Sequence, residues 1–246
     1  MQKIAHVVLG TMTFGGQVDE GTADRMLGQF LDAGHGEIDT ACSYCDGRTE
    51  EILGRILSPE RQPRVTVATK ANPWSSVQGL SPARIVEQLE SSLRRLKRDS
   101  VDIFYLHAPD LKTPLEQSLQ SCHELGQAGK FRELGLSNYA AWQVAEAWHI
   151  CAAHGWVRPS VYQGMYNAVT RDIDRELMPC LRNFGIRFYA YNPLAGGLLT
   201  GKHAGQDQLP EGGRFHANEM YQSRYWKDAY FQAVERIRSA CARENV

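Results

Sequence analysis

The sequence predicts an α/β protein built on a closed parallel barrel, and three observations carry that expectation. Short β-rich runs recur along all 246 residues, beginning near residues 6, 36, 66, 101, 131, 160 and 187, a period of about 30. Segments with helical spacing lie between them, and a strand-helix repeat of this period implies a parallel sheet. An open dinucleotide-binding sheet should show G-x-G-x-x-G after its first strand. Here that place reads "GTMTFGG", without the spacing, so the barrel is favoured.

The strands, in order, are "HVVLGT", "GEIDTA", "TVATKA", "VDIFYLH", "FRELGLSN", "SVYQGMYN" and "RFYAYNPL". Among the helices, "SPARIVEQLESSLRRL" puts Ile85, Leu89, Leu93 and Leu96 on one face, with Ser81 as N-cap and Pro82 in the first turn. A longer polar loop, "KHAGQDQLPEGGRF", follows the seventh strand, and a helical "FQAVERIRSACARENV" closes the sequence. No linker or low-complexity tract interrupts the series, so residues 1–246 read as a single barrel domain with seven strands evident.

Composition narrows the function classes. With 43% hydrophobic and 22% charged residues the chain can bury a large core and reads as soluble. A net charge of -1 and the lack of a Lys/Arg run argue against nucleic acid or an anionic membrane as partner. No apolar stretch reaches the roughly 18 residues of a membrane span, and "MQKIAHVVLG" turns polar too soon for a secretory signal. The expected location is the cytoplasm. Six scattered cysteines are too few for a disulfide scaffold, and reduced thiols are the default.

Barrel chemistry sits at the C-terminal ends of the strands. Those ends carry Asp39 with Tyr44 just beyond, Lys70, His107, Ser137 and Asn138, Gln163, and Tyr191 with Asn192. Any one of these alone also suits a solvated rim. Together Tyr44, Lys70, Asp39 and His107 make a proton-transfer set. A phenol of pKa about 10 is a reluctant acid or base near neutrality unless a cation stabilises its phenolate. Lys70 can supply the cation, Asp39 can hold the ammonium, and His107 can hydrogen-bond a substrate carbonyl.

"LGTM", "EIDTACSYCDGRTEEILG", "VATKANPW", "VDIFYLHAPD", "GKFRELGLSNYAAWQVAE", "VYQGMYNAVTR" and "RFYAYNPLAGGLLTGK" resemble the aldo-keto reductases, specifically the aflatoxin-aldehyde reductase branch, over essentially the whole chain. The resemblance implies a TIM (β/α)8 barrel that binds NADPH in an extended pose and reduces aldehydes, dialdehydes or ketones. It implies Tyr44 as proton donor, with Asp39, Lys70 and His107 completing a tetrad. Cofactor contacts are implied at Met12, Asp39, Ser137, Asn138 and Gln163. Tyr191 would stack on the nicotinamide. The loop Asn192, Pro193, Leu194, Ala195, Gly196, Gly197, Leu198, Leu199, Thr200, Gly201 and Lys202 would wrap the pyrophosphate near Arg214. His107, Tyr221 and Arg224 would meet substrate, Arg224 favouring a carboxylate-bearing one. A homodimer is allowed, and no metal is implied.

Two further motifs compete for attention. "GGLLTGKH" satisfies G-x-x-x-x-G-K, but His203 stands where Ser or Thr should ligate magnesium, so Lys202 is read as a cofactor-phosphate contact. Cys42 and Cys45 form C-x-x-C without thioredoxin-like or zinc-site context, and are read as incidental thiols near a pocket. Two rival functions stand beside reduction. An aldolase-like Schiff base at Lys70 is disfavoured by its expected pairing with Asp39. A cofactor-sensing, non-catalytic member of the fold is the alternative, since related barrels serve as ion-channel subunits. The sequence lacks an eighth strand and its helix, so the expectation is a C-terminally shortened reductase with unpaired barrel edges, reduced stability, weak NADPH binding and little or no activity at this length.

Overall fold

The seven expected strands are present in a computed structural model that describes residues 6–74, 77–203, 205, 209, 211–216 and 218–245. They are β1 (Val8–Gly10), β2 (Glu37–Asp39), β3 (Thr66–Ala71), β4 (Val101–Leu106), β5 (Phe131–Ser137), β6 (Pro159–Met165) and β7 (Arg187–Tyr191). They form one sheet in chain order. The helices that alternate with them are α1 (Glu20–Asp32), α2 (Arg48–Ile56), α3 (Pro82–Leu96), α4 (Leu115–Gln127), α5 (Ala141–His154) and α6 (Leu177–Asn183). Two more, α7 (Glu219–Tyr225) and α8 (Asp228–Glu244), follow β7. This is the strand-helix order of the TIM barrel. Two compact units make up the chain. The first runs to Tyr162 and includes Cys180–Arg187; the second holds Gln163–Pro179 and the residues from Phe188 onward.

In the first unit the pairing from β1 to β5 is parallel throughout. Five of the six β3 residues are buried, as expected of a parallel strand covered on both faces. Register then decides what lies under the site. Lys70 pairs with Tyr105, and Tyr105 with Gly135. A Cβ at Gly135 would overlap the Tyr105 ring, so the glycine makes room for the aromatic floor beneath Lys70.

Helix α3 forms as its periodicity predicts. Ile85, Leu89, Leu93 and Leu96 are all buried, each worth about 1.5–3 kcal/mol of transfer free energy. One detail differs from expectation. Ser81 occupies the N-cap position, but its hydroxyl makes no capping bond. Its backbone carbonyl accepts the Ile85 amide at 3.0 Å, and the fixed φ of Pro82 starts the helix.

The second unit has its own core of Ala195, Leu198, Phe215, Tyr221, Tyr225, Trp226 and Val234. A 3-10 segment, Ala195–Thr200, follows β7 and precedes the polar loop, which leads into α7; residues 204, 206–208 and 210 of that loop lie outside the described residues. So do residues 1–5 at the start of "MQKIAHVVLG". Among the described residues, no helix is long and apolar enough to cross a membrane.

Candidate active site

Within the first unit, the ends of β2, β3 and β4 bring four side chains together. Asp39 closes β2, and its backbone carbonyl accepts both the amide and the hydroxyl of Thr11, at 3.0 and 2.9 Å. Lys70, on β3, is fully buried. Its Nζ donates to Asp39 Oδ1 at 2.8 Å, Asp39 Oδ2 at 2.7 Å and the Thr40 carbonyl at 2.8 Å, and lies 3.4 Å from the Tyr44 hydroxyl. Burial opposes the ammonium charge, but Asp39 and then Tyr44 outweigh it and hold the Lys70 pKa above the usual lysine value. A lysine this firmly protonated is a poor Schiff-base nucleophile and a good fixed cation.

His107 follows the last residue of β4. Its amide donates to the Ala71 carbonyl at 2.8 Å, and its own carbonyl accepts Asn138 Nδ2 at 2.9 Å. The Tyr44 ring meets it edge-on with centroids 5.9 Å apart, and the Trp74 ring tilts against it at 5.0 Å. Burial first, and the Lys70 charge second, pull the imidazole pKa down to about 3. The ring is therefore neutral at pH 7. Its Nδ1 is buried without a hydrogen-bond partner. An unpaired acceptor costs less there than an unpaired N–H, which favours the tautomer carrying its proton on Nε2.

Tyr44 stands on an unusual piece of backbone. The three residues between it and α2 all have positive φ: Cys45 at 48°, Asp46 at 57° and Gly47 at 88°. Only the last is a glycine, so the turn is held by its surroundings rather than by local preference. Cys45 donates its thiol to the Met12 carbonyl at 3.7 Å. The Cys42 thiol donates to Gln88 Oε1 at 3.1 Å and accepts from Asn72 Nδ2 at 3.3 Å. Burial and the nearby Glu50 carboxylate raise the Cys42 pKa, which keeps it a thiol. Both cysteines are free, and no group of three or more potential metal ligands occurs among the described residues.

Ser137 ends β5, and its hydroxyl accepts from Asn138 Nδ2 at 3.0 Å. Asn138 itself takes φ 62°, a left-handed conformation that asparagine tolerates.

In the second unit, Gln163 lies two residues inside the end of β6, while Tyr191 ends β7. Asn192 accepts Asn167 Nδ2 on its carbonyl at 3.0 Å and the Tyr221 hydroxyl on Oδ1 at 3.2 Å. That hydroxyl also accepts from Arg214 at 2.9 Å, so Tyr221, itself buried, links Arg214 to Asn192. Arg224 is half-buried on α7. The segment from Ala195 bends through Gly196 (φ 70°) and Gly197 (φ 108°), and a Cβ at Gly197 would stand 4.0 Å from Lys202 Nζ. A bend free of side chains with an ammonium beside it fits a phosphate group. His203, half-buried, packs edge-on against Phe215 and Trp226, at 5.5 and 5.1 Å.

Sequence reasoning missed Trp74, Glu50 and Arg95. Trp74 had a signal, being an aromatic residue in a loop just past a strand end. Glu50 had another, since it shares helical spacing with the buried Leu53 and Gly54 and so puts a charge on an apolar stripe.

Comparison with known proteins follows the same lines. Residues 6–246 match the Aldo/keto reductase family. The chain is 52% identical over 240 residues to Aflatoxin B1 aldehyde reductase member 2 of Mus musculus, covering 95% of this chain and 65% of that protein. It is 51% identical to the Homo sapiens protein of the same name, over 95% of this chain and 67% of that one. A probable voltage-gated potassium channel subunit beta of Oryza sativa is 36% identical, over 86% of this chain and 66% of that protein. The chain thus spans about two thirds of the length of these relatives.

Proposed function

Because the chain belongs to the aldo/keto reductase family, we propose that it reduces aldehydes and ketones to alcohols, with NADPH as cofactor and Tyr44 as proton donor. The observation that carries this reading is the buried Lys70 ammonium, which bonds both Asp39 oxygens and reaches the Tyr44 hydroxyl at 3.4 Å. NADPH, when bound, supplies the hydride. Hydride addition leaves negative charge growing on the carbonyl oxygen, and donors already aimed at that oxygen stabilise the transition state more than the ground state. Tyr44 gives its proton there, while Lys70 stabilises the phenolate that remains. Neutral His107 donates from Nε2 to the same oxygen and orients it. Asp39 keeps the ammonium charged and in place. Trp74, packed on His107 and largely exposed, offers an apolar wall to the substrate.

The proposed cofactor contacts are those the family resemblance implies. In the first unit Ser137, Asn138, Met12 and Asp39 are the proposed nicotinamide-end contacts; in the second they are Gln163 and Tyr191. The loop Asn192–Lys202 takes the pyrophosphate, with the Gly196–Gly197 bend and Lys202 at a phosphate and Arg214 supporting Asn192 through Tyr221. Arg224 selects carbonyl compounds bearing a carboxylate, with Tyr221 on the same helix. Aldehydes of the kind named in the mammalian relatives are the substrate class. The chain acts as one barrel domain in the cytoplasm, without metal, nucleic acid or membrane, and can pair as a homodimer.

The test is NADPH consumption with aldehyde substrates by wild type and by Tyr44→Phe, which should turn over at least about 10²-fold more slowly while binding NADPH nearly as well. Equal turnover would remove Tyr44 from the mechanism. The similarity to a channel beta subunit favours one second reading, a barrel that binds the cofactor and signals its state without turnover. NADPH binding with no consumption across aldehydes would select it.

A further inference from the structure

We infer that the ion pair between the buried Glu50 and the half-buried Arg95 is the positioning device of the proton-donor loop, setting the distance between Tyr44 and Lys70. The inference rests on the proton-donor reading of Tyr44. Its starting point is the left-handed run Cys45, Asp46, Gly47, which joins Tyr44 directly to the first turn of α2. Two non-glycine residues in that conformation do not hold themselves there. Glu50, third residue of α2, is fully buried. Its Oε1 accepts the Thr69 hydroxyl at 2.5 Å; its Oε2 accepts Arg95 Nε at 2.8 Å, with the second Arg95 nitrogen at 2.6 Å.

Each partner adjoins the segment that carries one member of the catalytic pair. Thr69 immediately precedes Lys70 on β3. The Arg95 side chain fills the space above Gly47: a Cβ there would lie 3.0 Å from Nε and 3.1 Å from Cζ. The neighbouring Thr49 hydroxyl donates to the Phe14 carbonyl at 2.8 Å and anchors the same turn. One ion pair therefore connects the strand carrying Lys70 to the turn carrying Tyr44. A guanidinium fork has a fixed geometry, which an apolar contact lacks, so the pair fixes position as well as filling space.

The consequence lies in the Tyr44–Lys70 contact. At 3.4 Å it is already long, and charge stabilisation of the phenolate falls as the groups separate. Tyr44 faces Lys70 from β3, with Asp39 from β2 behind it, and His107 edge-on. A turn released by about 2 Å loses enough of the Lys70 attraction to raise the phenol titration by about one pH unit.

The test uses Glu50→Gln and Arg95→Lys in the full chain without cofactor. Tyrosine is labelled with 13C at the ring carbon bearing oxygen, and the Tyr44 signal is assigned by its loss in Tyr44→Phe. Charge alone predicts that Glu50→Gln, which removes an anion, lowers the Tyr44 titration, and that Arg95→Lys, which keeps its charge, leaves it unchanged. Positioning predicts a rise of about one unit in both. Kcat for aldehyde reduction should fall about tenfold with KM for the carbonyl little altered. Glu133→Gln, which breaks the distant pair with Arg187, should leave the Tyr44 titration where it was. A fall or no change in the variants overturns the inference, and Arg95→Lys decides alone if Glu50→Gln does not fold. Should wild type reduce no aldehyde, or Tyr44→Phe be harmless, the functional reading fails, yet the titration still decides whether the pair holds the loop.

Discussion

Replacing Lys70 with Met tests the centre of the site through stability, independently of any substrate. The ammonium lies 2.7 Å from Asp39 Oδ2 and is fully buried. At an effective dielectric of about 20, a unit-charge pair at that distance has a gross attraction of about 6 kcal/mol, much of it offset by desolvation. Lys70→Met fills similar volume but takes the Lys70 counter-charge away from the Asp39 carboxylate in a nearly buried place. Removing one partner of a buried pair costs about 3–5 kcal/mol, and that is the loss expected here. Asp39→Asn added to Lys70→Met removes the stranded charge, so the double variant should recover part of the stability while remaining inactive. Because the folded Lys70 pKa is raised, its contribution is complete below the unfolded lysine value and is lost only as pH rises through the raised one. Urea unfolding at pH 7 followed by far-UV circular dichroism therefore reads the whole effect. Lys70→Met within about 1 kcal/mol of wild type, or a double variant no more stable than the single one, would refute the pairing argument.

His107, with its pKa lowered to about 3 by burial and the Lys70 charge, should show no NMR titration between pH 5 and 8. The unfolded chain takes up that proton near pH 6.5 and the native one does not, so His107 should cost stability progressively from about pH 6.5 down to 3; a transition near 6.5 in the folded protein would contradict this. At Gly54 an added Cβ would overlap the Arg95 carbonyl oxygen where α2 meets α3, and Gly54→Ala should cost about 1–3 kcal/mol. An unchanged Tm would show that the helices part freely. Arg224→Ala should raise KM for carboxylate-bearing aldehydes far more than for neutral aromatic ones, and equal effects would end its proposed role.

How much of this could be read before the structure depends on the range of the interactions involved. The strand-helix alternation, the apolar face of α3 and the placing of Asp39, Lys70, His107, Ser137 and Tyr191 at or beside strand ends follow from periodicities of two and 3.6 residues. These are properties of neighbours along the chain. Cys45 and Asp46 belong to the other kind. Nothing in "SYCDGRT" announces left-handed backbone at a cysteine and an aspartate, since their local preference runs the other way and packing overrides it. The Cys42–Cys45 pair reads as incidental thiols, and it is the fold that gives the Cys42 thiol its partner, Gln88, 46 positions away.

By itself, then, the sequence determined the repeated unit and the chemical inventory at its strand ends, because hydrophobic period and residue type are local quantities. Only the tertiary structure decided what each group became. "TEEILG" presents two acids suited to a helix N-terminus, and the fold buries Glu50 against Arg95 and Thr69 while leaving Glu51 in solvent. The same holds for His107, whose depressed pKa comes from desolvation and from Lys70, 37 residues earlier in the numbering. Burial and electrostatic coupling depend on distances through space between residues far apart in the chain, and those distances exist only once the strands have paired.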